Sequence, residues 1–171
     1  VRIEKTLFKL KLKKNKKKII SNLNLFYIFN PETITIGVTG TNGKSTTCKL
    51  IFEILKKNNF NVKIGGNIGD PILNISCNKK SIVVIKMSSF QLAYSKFIRP
   101  NHSILLNLSL DHLDWHKNFY NYKKSKFRIF LNQQKKDFAY FKSNSLIKYF
   151  KNEKFKSKIV KIRKNFHLNL K

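Results

Sequence analysis

The chain has 171 residues, enough for one ordinary domain with a real core and too few for a large multidomain enzyme. Its 36 basic residues against 8 acidic ones give a net charge of +28, yet 32 of them are lysine and only 4 arginine, the residue suited to bidentate contacts with phosphate and guanine. That balance, with its abundant asparagine, isoleucine and phenylalanine, fits drift toward A and T codons spread over surfaces and argues against a specific nucleic-acid partner. Cys48 and Cys77 lie in unrelated segments without metal-ligand spacing, which argues against a disulfide framework or a zinc site and suits a reduced cytoplasmic setting. No apolar run approaches the roughly 18 residues of a spanning helix, and the basic N-terminus lacks the apolar core of a signal peptide, so no membrane partner is expected.

In chain order, residues 9–18 form a lysine-rich tract that reads as a solvated surface segment, and Pro31-Glu32 marks a junction. Strands are predicted at 33–39, 62–65, 81–87, 102–108, 137–141 and 157–162, and helices near 44–58, 70–76, 118–131 and 143–152. This alternation is the order of an α/β fold, a mostly parallel sheet flanked by helices. The continuous apolar run Ile82-Val83-Val84-Ile85 is that of a strand buried on both faces.

The segment Ile34-Thr35-Ile36-Gly37-Val38-Thr39-Gly40-Thr41-Asn42-Gly43-Lys44-Ser45-Thr46 runs from an apolar strand through a glycine-rich turn into a helix. Gly40 and Gly43 permit close backbone approach to phosphates, the helix start offers free N–H groups, Lys44 suits β/γ-phosphates and Ser45 offers a hydroxyl for Mg²⁺. The strict phosphate-loop pattern wants glycine where Val38 stands, so this is a variant.

Further segments follow: Gly65-Gly66-Asn67-Ile68-Gly69-Asp70-Pro71, then Met87-Ser88-Ser89-Phe90-Gln91-Leu92, then Asn107-Leu108-Ser109-Leu110-Asp111-His112-Leu113-Asp114, then Tyr122 to Phe130. In order and spacing they resemble the Mur ligases, and Ser88-Ser89-Phe90-Gln91-Leu92 resembles the D-glutamate-adding branch. The resemblance covers about residues 19–162. It implies a P-loop NTPase-like central domain over 31–171, truncated, with 1–30 a remnant of the N-terminal UDP-binding domain and linker, and the C-terminal D-glutamate-binding domain absent. It also implies an ATP-dependent ligase working through an acyl phosphate, with ATP and Mg²⁺, and with UDP-N-acetylmuramoyl-L-alanine and D-glutamate as substrates.

Residue by residue, the resemblance assigns Gly40, Thr41, Asn42, Gly43, Lys44, Ser45 and Thr46 to the triphosphate, with Ser45 on the first Mg²⁺. Asn67, Ser88, Ser89 and Gln91 would face the muramoyl substrate, and His112 would serve the second Mg²⁺ and the incoming carboxylate. Lys126 would be carbamylated and help hold that metal through water. Without the resemblance, Asn67 reads equally as a left-handed turn residue, Ser88 and Ser89 as helix caps, and His112 as a solvated loop residue. Lys126 has its own signal: Phe119, Tyr122, Lys126 and Ile129 share one helix face, which aims the lysine at the core or at a site, or lets its stem pack while the ammonium reaches water.

Two departures stand out. Where the family places a glutamate at the end of the strand beside the phosphate loop, this chain has Lys86, which is expected to impair metal-dependent ATP hydrolysis unless another acid substitutes. Asn22 and Asn24 likewise stand where acids are frequent in the family. The family's later H-N-x-x-N element is also missing, so the expectation is a fragment, a remnant, or one piece of a split ligase whose missing parts act as partners. Another Mur-type or folylpolyglutamate ligase and a noncatalytic basic module remain the alternatives.

Overall fold

The computed structural model describes residues 20–153 and 155–162. The lysine tract at 9–18 and the segment after Ile162 lie outside the described residues. Six strands form one parallel sheet: β1 (Ile34–Thr39), β2 (Val62–Gly66), β3 (Ile82–Lys86), β4 (His102–Leu105), β5 (Phe138–Phe141) and β6 (Lys158–Lys161), in the order β2-β3-β1-β4-β5-β6. All six fall where the alternating pattern predicts them.

The helices are α1 (Asn22–Phe29), α2 (Lys44–Lys57), α3 (Ser89–Tyr94), α4 (Leu113–His116), α5 (Phe119–Phe127) and α6 (Asn144–Asn152). Helix α2 covers one face of the sheet, where Cys48, Ile51, Phe52 and Leu55 meet Val38, Val62 and Val84. Helices α1, α5 and α6 cover the other face through Leu23, Phe26, Phe127, Leu146 and Phe150, against Val83, Ile85, Leu105 and Phe141. Because side chains alternate along a strand, Val84 looks toward α2 and Val83 and Ile85 look away; all three are fully buried. The uninterrupted apolar run of β3 follows from that double coverage.

One expectation is corrected, and one helix was not predicted. The predicted helix at 70–76 is only a three-residue 3-10 turn, Ile72–Asn74, because Gly69 is left-handed, Asp70 bridges to Gly65 and Pro71 holds an extended ψ of 133°. Helix α1 carried no clear periodicity in the sequence, yet Ser21 caps it by accepting from the Asn24 N–H at 3.2 Å. Asn24 itself is fully buried, and its Oδ1 accepts the N–H groups of Lys96 at 2.8 Å and Phe97 at 3.0 Å, so α1 fastens the loop leading to β4.

Candidate functional site

Parallel strands with helical crossovers expose their carboxyl ends along one edge, and ligands collect where the chain departs in opposite directions from neighbouring strands. Here that place is β1 flanked by β3 and β4. From β1 the chain crosses to β2 by way of α2, while from β3 it crosses over β1 to β4. The glycine-rich segment sits at this switch point.

The turn is shaped by its glycines. Gly40 has φ 155°, and a Cβ there would lie 3.0 Å from the Leu106 side chain, while Gly43 takes the left-handed N-cap position of α2 at φ 81°. No side chain caps α2, so the N–H groups of its first turn point into the loop's concavity, as an anion cradle requires. Lys44 starts the helix, and Ser45 and Thr46 follow within its first turn.

Asn107, just beyond β4, clamps this loop. Its Oδ1 accepts the N–H groups of Thr41 at 3.1 Å and Asn42 at 2.9 Å, and its Nδ2 donates to the Asn42 carbonyl at 3.2 Å. Thr41 is tied a second time: its hydroxyl accepts the Ser109 N–H at 3.0 Å and lies 3.0 Å from the Tyr122 hydroxyl. The sequence reading quoted Asn107 within a motif but gave it no role. An amide placed just past a strand neighbouring a phosphate loop was the available signal.

Two lysines from opposite faces of the sheet meet at this loop. Lys44 Nζ donates to the carbonyls of Gly40 at 2.8 Å and Thr41 at 2.6 Å, and Lys126 Nζ donates to the same Gly40 oxygen at 2.8 Å. Lys126 is only 2% exposed and its ammonium lies 4.8 Å from the centre of the Tyr122 ring. Burial pushes its pKa down to about 7, the Lys44 charge adds to the shift, and Asp111 opposes it. Lys44 is lowered by burial first and by Lys86 second, with Asp111 and the Cys48 sulfur opposing. Lys126 is thus moved toward the neutral amine.

His112 reaches the same neighbourhood. Its backbone is left-handed at φ 51°, its ring lies 4.8 Å from that of Phe90 and 6.4 Å from that of Tyr122, and its Nε2 is 3.3 Å from the Asp111 carboxylate. Tyr122 and Ile129 are fully buried, so the face read from the 3-4-3 spacing does turn inward and carries Lys126 with it.

The residues after β2 and β3 divide differently. Ser88 and Gln91 form a reciprocal capping box on α3: the Gln91 N–H donates to Ser88 Oγ at 3.2 Å, and the Ser88 N–H donates to Gln91 Oε1 at 3.0 Å. Ser88 therefore caps α3, as one of the two sequence expectations has it, whereas Ser89 does not. Ser89 is buried, its hydroxyl 3.0 Å from Nε2 of His116, a residue that the sequence reading passed over. Asn67 is exposed and donates its N–H to the Lys86 carbonyl at 3.2 Å; the left-handed positions of its turn belong to Gly66 and Gly69, not to Asn67.

A Mg²⁺ ion needs hard oxygen donors in near-octahedral array, and the residues present do not fit one well. Ser45 offers a hydroxyl, Asp111 is engaged with His112, β3 ends on a cation, and no group of three or more His, Cys, Asp or Glu side chains with metal-holding geometry occurs among the described residues. An open cavity of about 930 Å³ adjoins the loop through Asn107 and is lined further by Lys142, Ser143, Asn144 and Lys161.

The fold and loop define a P-loop nucleotide-binding α/β domain. Residues 38–169 match the Mur ligase middle domain, so the chain belongs to the Mur ligase family. It is 40% identical over 129 residues to a UDP-N-acetylmuramoylalanine–D-glutamate ligase of Natranaerobius thermophilus, covering 71% of this chain and 28% of that protein. To the ligase of the same name from Aquifex aeolicus it is 44% identical over 126 residues, covering 73% of this chain and 30% of that one. The chain therefore spans under a third of the length of these curated relatives. Among solved structures, the MurF ligase of Thermotoga maritima in complex with ADP superposes with a TM-score of 0.63 at 21% identity over 81% of this chain and 35% of that one, a likeness of fold.

Proposed function

We propose that this chain is the ATP-binding centre of a ligase that joins D-glutamate to UDP-N-acetylmuramoyl-L-alanine in peptidoglycan synthesis. The observation that carries the reading is the phosphate loop with Lys44 and Lys126 meeting at the Gly40 carbonyl, in a chain about 40% identical to ligases of that name. Gly40 to Thr46 would hold the triphosphate through first-turn N–H groups and through Lys44, whose ammonium keeps one hydrogen beyond its two carbonyl bonds. The cavity beside Asn107 has room for the nucleoside. Asn67 and the Ser88 to Gln91 turn would border the muramoyl substrate, and His112, exposed and paired with Asp111, would meet the incoming carboxylate.

When bound, ATP supplies the phosphoryl group: a substrate carboxylate oxygen attacks the γ-phosphorus as ADP leaves, and the D-glutamate amine then displaces phosphate from the acyl carbon to form the amide. The chain's part is to hold the phosphates still and to place positive charge where negative charge develops. Two free cysteines and the use of ATP suit a cytoplasmic setting.

The test is a chimera in which residues 38–162 replace the matching segment of the Aquifex aeolicus relative, made with Lys86 and again with Lys86→Glu. Phosphate release that requires both UDP-N-acetylmuramoyl-L-alanine and D-glutamate in either chimera supports the reading. Release driven by another amino acid, or none from either folded chimera, overturns it.

A further inference from the structure

We propose that Lys86 stands in for the divalent cation at the phosphate loop, so that the site binds the triphosphate chain of a nucleotide free of metal. The inference rests on the nucleotide-binding reading above and goes beyond it.

Placement comes first. Lys86 is the last residue of β3 and pairs in register with Val38 of β1, two positions before Gly40. Along β3 it shares a face with Val84, which packs on Cys48 of α2, so its side chain leaves the sheet on the side where α2 begins. Its charge is felt by both Lys44 and Cys48, one at the start of α2 and one a turn later. The backbone there is fixed by close contact: Gly66 lies so near that a Cβ would meet the Lys86 carbonyl oxygen, and the Met87 N–H is bonded to the Val38 carbonyl at 2.9 Å.

Charge follows from placement. Lys44 and Lys126 meet at the loop from α2 and α5, Lys86 adds its charge to Lys44 from β3, and Asp111, already paired with His112, is the carboxylate whose field reaches Lys44 and Lys126. An ammonium offers hydrogens and no lone pair, so it repels a divalent ion and gives it no ligand. A polyphosphate chain without metal carries several negative charges that such a cluster neutralises directly, with Lys86 on the side of the loop that faces β3. Lys44 and Lys86 repel each other when the site is empty, which gives binding a further electrostatic drive.

The experiment is calorimetric titration of the protein, and of Lys86→Glu and Lys86→Met, with ATP in EDTA and in Mg²⁺, circular dichroism showing that each variant is folded. The expected result is ATP binding to the unmodified chain whose affinity in EDTA equals or exceeds that in Mg²⁺, a loss of about tenfold or more in EDTA for both variants, and recovery by Mg²⁺ for Lys86→Glu alone. Inorganic tripolyphosphate is expected to compete with ATP in EDTA; failure to compete would contradict an assignment to the triphosphate chain. Binding by the unmodified chain that is about tenfold tighter with Mg²⁺ would overturn the inference and leave the nucleotide site standing. No ATP binding by the folded protein in either condition would instead overturn the nucleotide reading on which it rests.

Discussion

Lys44 and Lys126 share one acceptor, each donating at 2.8 Å to the carbonyl oxygen of Gly40. One lysine comes from the helix that follows β1 and the other from α5 across the sheet, so the phosphate loop is held from both sides by lysine amines.

That arrangement sets a pH dependence. The Lys126 pKa is lowered in the folded chain to about 7 from its ordinary value near 10.5, with Lys44 and Asp111 facing it. Between those values the unfolded chain holds a proton that the folded chain has released, so stability increases as pH rises above about 7. The Cys48 thiol, pushed up to about 12, works the other way only once the unfolded thiol ionises near 9. Denaturant unfolding followed from pH 7 to 9 is expected to show a rise of up to about 1.4 kcal/mol per pH unit that is largely absent in Lys126→Met.

Asn107→Ala removes the acceptor shared by the Thr41 and Asn42 N–H groups and frees the loop. Because Asn107 is exposed, water satisfies part of the loss, and a cost of about 1 kcal/mol in stability is expected. The larger effect should fall on ATP affinity, since an ordered cradle becomes a mobile one. Equilibrium unfolding beside ATP titration measures both.

Asn24→Ala removes the fully buried Oδ1 that accepts the N–H groups of Lys96 and Phe97. A loss of about 2 kcal/mol is expected, partly offset because the Asn24 Nδ2 is itself buried without an acceptor. Chemical denaturation reads this out, with ATP binding left intact in the folded variant because Asn24 fastens residues 96–97 and makes no bond to the loop from Gly40 to Thr46.

The strands were legible as short apolar runs spaced between helical segments, and the inward face of α5 was legible from the helical spacing of Phe119, Tyr122 and Lys126. The phosphate loop was legible because its chemistry dictates glycine, lysine and serine at fixed offsets within ten residues. What was not legible depended on contacts between distant segments. Asn107 reaches back 66 positions to Thr41, and His116 meets Ser89 across 27 positions, neither leaving a periodic trace. Residues 70–76 looked helical by composition, yet Gly69 and Pro71 had already committed the backbone to other angles.

Gly66→Ala tests the packing at the end of β3. With φ at 103° and the Lys86 carbonyl in the way, the methyl group must push β3 and β2 apart. A loss of about 2 kcal/mol or more is expected in denaturant unfolding, together with altered nucleotide binding, because the displaced residue is Lys86.

The central claim is that the loop from Gly40 to Thr46 is the nucleotide site, and amide hydrogen exchange with saturating ATP tests it most directly. Slowed exchange is predicted at the N–H groups of Gly43 to Thr46, which start α2, and the effect should vanish in Lys44→Ala. Unchanged exchange at these amides while ATP is bound, or protection confined to another part of the sheet, would contradict the account.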